Sequence, residues 1–168
     1  KKMTIATIVR GNGTTNRNGE GNLSFVQLCL AADYGRAAAR ETKTANEITA
    51  IAEGPEFIKY EGVTVKFKVA SNGDVDAKHF NTEGEIFIPA ITEAKSTQLG
   101  DLVNHPIVLI CEDRSGNIRK MGQQDDGVQC DIEEMTEGKN GILLKFKIEG
   151  QPFPPAFIDA IATIPVPA

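Results

Sequence analysis

The sequence predicts a mainly β protein, an antiparallel β-sandwich or barrel-like domain with one short helix, flexible arms and a Pro-rich C-terminal tail. Three stretches predict it. In Ile142, Leu144, Phe146 and Ile148 apolar residues alternate with Leu143, Lys145 and Lys147, which buries one face of a strand and leaves the other largely wetted. Val63, Val65, Phe67 and Val69 alternate in the same way with Thr64, Lys66 and Lys68. Ile107, Val108, Leu109, Ile110 and Cys111 form a short apolar run that stops at Glu112-Asp113-Arg114, where Ser115-Gly116-Asn117 supplies a reversal.

Met3 to Val9 alternates modestly and reads as a first edge strand. Gly11 to Asn22 holds four glycines and four asparagines with no apolar anchor, so it reads as a flexible arm. Its glycine spacing is not a phosphate-binding loop, because no Lys-Ser/Thr pair closes it. Leu23 to Ala32 is nearly continuous in apolar residues and, after turn residues, reads as a buried strand. Gly35 to Asn46 has helix formers but no wide apolar stripe, which fits a short surface helix or a second arm. Ile48, Ala50 and Ala52 alternate with Glu47, Thr49 and Ile51, a strand ended by Glu53-Gly54-Pro55. Phe57 to Tyr60 and Val63 to Val69 read as a hairpin reversed at Glu61-Gly62. Asn72-Gly73-Asp74 is a turn, Asp76 to Glu83 a polar connection and Glu85 to Pro89 a short strand ended by its proline. Thr92 to Val103 is the helix, capped by Thr92 with Leu99 and Leu102 on one face. Five prolines in residues 151–168 exclude a long helix or a central strand at either end, so that stretch reads as a tail lying on a neighbour or only partly ordered. The organisation is therefore one β-rich domain over residues 1–150, with arms at 11–22 and 35–46, and a tail at 151–168.

With 168 residues, 40% of them hydrophobic, the chain can build one ordinary core but hardly two. A net charge of -5 argues against a general nucleic-acid binder, whose affinity comes from neutralising phosphates. The charge is segregated: residues 1–40 hold six Lys/Arg against two Asp/Glu, and residues 110–137 hold three against eight. Solvated surface accounts for such runs; the functional alternative is two complementary faces that meet between subunits. No stretch approaches the roughly 18 consecutive apolar residues of a membrane span. The start KKMTIATIVR does not read as a signal peptide, its apolar part being broken at Arg10-Gly11-Asn12-Gly13.

Candidate chemistry is sparse. Cys29, Cys111 and Cys130 lie in strand-like segments without a CxxC, and read as reduced core residues suited to a cytoplasmic assembly environment. His79 and His105 have no metal-ligand spacing. Asp125-Asp126-Gly127 lacks the spaced carboxylates and closing Glu of a calcium loop. No serine sits in a GxSxG elbow, and with no Trp and two Tyr there is no evident aromatic platform for sugar or single-stranded nucleic acid. No catalytic residue, cofactor or metal is expected.

One stretch, His105 to Phe157, places an apolar strand at Ile107 to Glu112 and a turn at Ser115-Gly116-Asn117. Met121-Gly122, a strand at Val128 to Ile132 and a Gly-turned strand at Gly138 to Ile148 follow. With Asn18 to Asn22 before Leu23 to Leu30, and Ile86 to Pro89 before Leu99 to Val103, this order resembles virion structural proteins of tailed phages infecting Bacteroidetes. Those are neck ring, head–tail connector and tail-tube components. The resemblance implies a two-layered β-sandwich or barrel with one helix packed on it, assembled in the host bacterial cytoplasm into a ring or tube of the virion around the DNA channel. The implied partners are further copies of the chain, neighbouring virion proteins and, without sequence preference, the packaged DNA; no membrane is involved. Arg17, Arg36 and Arg40 are then expected to reach Asp125, Asp126 and Glu133 of an adjacent subunit, or else to line the DNA channel. Two other classes compete: a secreted or surface β-sandwich adhesin or carbohydrate-binding module, and an enzyme whose site is assembled across a subunit interface.

Overall fold

The structure, a computed structural model, describes residues 5–7, 24–52, 54, 56–113, 116–159 and 163–165, with the side chains of 5–7 and 163–165 left aside. After β1 (Ile5–Thr7), the apolar run at Leu23 becomes β2 (Phe25–Leu30) and passes directly into one helical turn, α1 (Ala31–Tyr34). A second turn, α2 (Ala37–Arg40), leads into β3 (Glu41–Thr44) and β4 (Glu47–Ile51). Next come β5 (Ile58–Glu61), β6 (Thr64–Asn72) and β7 (His79–Pro89). The one full helix among the described residues, α3 (Glu93–Leu102), starts where Thr92 Oγ1 accepts the Lys95 N–H at 3.2 Å, and it buries Leu99 and Leu102 as the spacing predicts. β8 (Ile107–Glu112), β9 (Ile118–Met121), β10 (Gln129–Met135), β11 (Gly141–Gln151), β12 (Ala156–Ile158) and β13 (Thr163–Pro165) complete the order.

The strands form a seven-stranded sheet in the order β3-β4-β12-β9-β8-β2-β5, a four-stranded sheet in the order β10-β11-β7-β6, and the pair β1-β13. Ile107, Leu109 and Cys111 of β8 face a core shared with the four-stranded sheet, where Val65, Ile86, Ile88, Ile142, Leu144 and Phe146 meet them. Val108 and Ile110 point the other way, into a second core with Phe25, Tyr34, Ile48, Phe57, Ile118 and Ile158. All six β8 residues are buried. That is why this segment reads as an unbroken apolar run, whereas β11, wetted on one side, alternates. The expected sandwich is thus present, with a second apolar layer on the outer face of its larger sheet. Among the described residues no helix is long and apolar enough to cross a membrane.

Several expectations are corrected. β5 and β6 are not a hairpin: β5 pairs with β2 and β6 with β7, and the chain turns a corner between sheets at Gly62, whose φ of +70° favours glycine. The polar connection at 76–83 is in part the beginning of β7, whose His79, Phe80 and Asn81 pair with Asn72, Ser71 and Ala70. Backbone ladder bonds hold that half, so it carries no apolar alternation. In β4 the buried residues are Ile48 and Ile51, because the β3–β4 register shifts between Thr42 and Lys43. The arm expected at 35–46 is built into the body as α2 and β3, while the arm at 11–22 lies outside the described residues. The Pro-rich tail likewise enters the body: β12 runs parallel to β4 and antiparallel to β9. Pro155 stands just before β12, and the strand's own three residues, Ala156, Phe157 and Ile158, contain no proline and pair on both edges.

Phe146 is 3% exposed whereas Phe67, on the same face, is only partly buried. Phe146→Ala is expected to cost about 3–5 kcal/mol in urea unfolding and Phe67→Ala clearly less; equal losses would place the two rings wrongly.

Candidate functional site

The six residues expected at an interface are mostly engaged within one chain. Arg36 Nε lies 3.4 Å from Asp125 Oδ2, both side chains being well exposed. Beside them Gln124 N donates to Gly35 O at 3.0 Å and Ala37 N to Gln123 Oε1 at 3.2 Å, so the β9–β10 loop grips the α1–α2 link. The Arg36–Asp125 contact expected between subunits is therefore made inside the subunit. Arg40 staples its own neighbourhood, Nε donating to Tyr34 O at 2.8 Å and Nη1 to Ala52 O at 3.3 Å. Asp126 closes a tight turn through backbone bonds with Gln123. Glu133 accepts from Lys145 Nζ at 2.7 Å on the open face of the four-stranded sheet. Arg17 lies outside the described residues.

Sequence reasoning missed a buried ionic cluster on the outer face of the larger sheet. Glu41, the first residue of β3, has no exposed side-chain surface. Its Oε1 accepts the Tyr34 hydroxyl at 2.8 Å and is paired with Lys120 of β9, itself 6% exposed. Lys43 Nζ lies 3.0 Å from Oε2. The Lys120 ammonium also sits 4.7 Å above the Tyr34 ring. Burial by itself raises the Glu41 carboxyl, but Lys120, by charge and hydrogen bond, together with Tyr34 and Lys43, holds it below the ordinary carboxylate range. Burial, then Glu41, pushes the Tyr34 phenol up. Burial pulls the Lys120 ammonium below the ordinary lysine range, and the Glu41 carboxylate opposes that shift. The cluster clamps β3 and α1 onto β9. The signal for it, a Glu and a Lys in alternating strands, is shared by every solvated strand.

The cysteines are free and buried. Burial, and after it Asp33, Asp113 and Asp131 respectively, pushes Cys29, Cys111 and Cys130 each up to about 12, so all three remain thiols. Among the described residues no group of three or more His, Cys, Asp or Glu could hold a metal ion.

The open face of the four-stranded sheet is lined by charged and polar side chains. Cross-strand pairing puts Asp131, Lys145, Glu85 and Lys66 in one row and Gln129, Lys147, Glu83 and Lys68 in the next. Two ion pairs lie on this face, Lys145–Glu133 at 2.7 Å and Lys68–Glu83 at 3.1 Å. Between these rows runs Cys130-Phe146-Gly84-Phe67, where a Cβ on Gly84 would lie 2.3 Å from Lys66 O and 2.5 Å from Phe67 Cβ. Only glycine lets β6 and β7 close up there. A groove of about 890 Å³ crosses the sheet at this level, with the α3–β8 loop Val103–Pro106 along one side.

No family model, curated protein or solved structure matches the chain.

Glu41→Gln leaves Lys120 buried beside a neutral partner and is expected to cost about 3–5 kcal/mol. The double variant Glu41→Gln/Lys120→Met should lose less than the sum of the singles, as a double-mutant cycle by urea unfolding reads directly. Because the folded-state pKa of Glu41 is depressed, its stabilisation is fully present above the unfolded value of about 4.3 and is lost as pH falls through the folded value. Glu41→Gln should flatten that acid limb; an unchanged limb would show that other carboxylates carry it.

Proposed function

We propose that the chain is a self-assembling structural subunit, and specifically a component of the neck or tail of a tailed-phage virion, forming a ring or tube around the DNA channel with neighbouring virion proteins above and below. The observation that carries the assembly reading is the four-stranded sheet with two open edges, β10 and β6. β6 runs nine residues without proline, and its ladder to β7 is continuous from Thr64 to Asn72. A nine-residue edge strand of this kind is a template for another chain. The β6–β7 tip adds to it: every residue from 71 to 78 is exposed, and Val75 at the apex is 88% exposed. Phe153, 70% exposed, follows shortly after Gln151, the partner of Phe80 near that tip. The virion assignment itself rests on the order of strands and turns from Ile107 to Ile148, which resembles that of phage neck and tail proteins.

Buried thiols, an ion-paired lysine and a sealed phenol are groups spent on holding the fold, as a subunit whose work is association requires. The purified chain is expected to form rings or short tubes, seen by negative-stain microscopy and as a multiple of 18.1 kDa in light scattering. A chain that stays monomeric up to millimolar concentration, and that binds no virion protein, would overturn the proposal.

A further inference from the structure

Charge in the four-stranded sheet is sorted by strand. On its open face β10 presents Asp131 and Glu133, β11 presents Lys145 and Lys147 with Glu149 beyond them at the bulge, β7 presents Glu83 and Glu85, and β6 presents Lys66 and Lys68. The sheet thus alternates acidic, basic, acidic, basic from one edge to the other, and its edges carry opposite sign. The strands also alternate in direction throughout, each neighbouring pair being antiparallel. A second copy set with its β10 beside β6 continues both alternations without a break. Two β6 edges would instead oppose lysine to lysine and two β10 edges carboxylate to carboxylate, so like edges are rejected.

We infer that the β6 edge of one copy pairs antiparallel with the β10 edge of a second copy, Lys66 opposite Glu133 and Lys68 opposite Asp131 of that copy. This deepens the assembly reading and rests on it. The register is selected by more than charge. It sets Phe67 opposite Ile132, and both are partly buried side chains already packed against the main core, so the join completes their cover. A slip of one residue would turn the apolar set to the wrong face. A slip of two leaves a single opposed ion pair. The α3–β8 loop shares a groove with Gln129–Asp131, and Ser96 of α3 donates to Glu134, whose side chain lies on the sheet face opposite Asp131 and Glu133. The contact is heterologous, different surfaces meeting at each join, and therefore propagates into a ring or a filament.

Two full-length variants separate the possibilities. Lys66→Glu/Lys68→Glu has two acidic edges, and Asp131→Lys/Glu133→Lys has two basic edges. Each alone should remain monomeric in light scattering under conditions where the parent assembles. Mixed one to one, they should recover the parent's assembly, because every join then brings an acidic edge to a basic one. Recovery also shows that both variants are folded, and far-ultraviolet circular dichroism checks each before mixing. If both variants assemble as the parent does, or if the mixture stays monomeric while each variant is folded, this join is wrong although the assembly reading stands. If the parent itself never assembles, both fall together.

Discussion

Strand β8 is buried on both faces, and the rest of the architecture follows from that requirement. A strand with Ile107, Leu109 and Cys111 on one side and Val108 and Ile110 on the other cannot lie at a surface without exposing a continuous apolar stripe. One side is covered by the four-stranded sheet and α3. The other needs a second layer, and the chain makes it from short pieces: α1, the Phe57 region, and residues of β4 and β12. This explains why a Pro-rich segment near the end of the sequence is drawn into the sheet. Ala156 and Ile158 complete the second core, and β12 fills the place between β4 and β9.

That second layer has a polar consequence. Lys120 follows Ile118 on the same face of β9, so covering Ile118 also covers an ammonium. Glu41 and Tyr34 are the groups that make its burial tolerable, and they come from the elements that do the covering. A buried pair of this kind contributes little net stability over an apolar replacement, but removing one member is costly. It therefore fixes where β3 and α1 must sit more than it strengthens the fold. Arg119, the residue between, faces the other way and lies 4.0 Å from the Phe157 ring, with Nε donating to Pro155 O at 3.1 Å. Successive residues of β9 thus anchor the N-terminal and C-terminal parts of the larger sheet.

The elements that were legible in the sequence are those whose burial is simple. β8, β11, the inward set of β6 and the capped helix α3 each carry one strong period, and the structure places them as that period demands. The hairpin expected from Phe57 to Val69 was not separable from a corner, because both use a Glu-Gly turn between apolar strands and only the distant partners, β2 and β7, distinguish them. The early half of β7 was hidden because it carries no apolar alternation: the residue it buries is Thr82, and His79, Phe80 and Asn81 are half-buried. The segments 35–46 and 151–158 looked like arms because their apolar residues are few, yet each supplies a small plug to a layer that other elements begin. Of the charged residues singled out, Arg36 and Asp125 do meet, but within the chain. The Glu41–Lys120 pair and the strand-sorted charges of the small sheet depend on which strands are neighbours, which periodicity within one strand does not contain.

The sorted charges give the open sheet a direction, with a basic edge at β6 and an acidic edge at β10, while the larger sheet keeps its polar cluster inside. An account in which the protein works by continuing one sheet from copy to copy is tested most directly by amide hydrogen exchange in the dispersed and assembled chain. Protection should rise together along residues 64–68 and 131–135 on assembly, with β3 and β5, the edges of the larger sheet, unchanged. Protection gained at β3 or β5 instead, with β6 and β10 still exchanging freely, would contradict it.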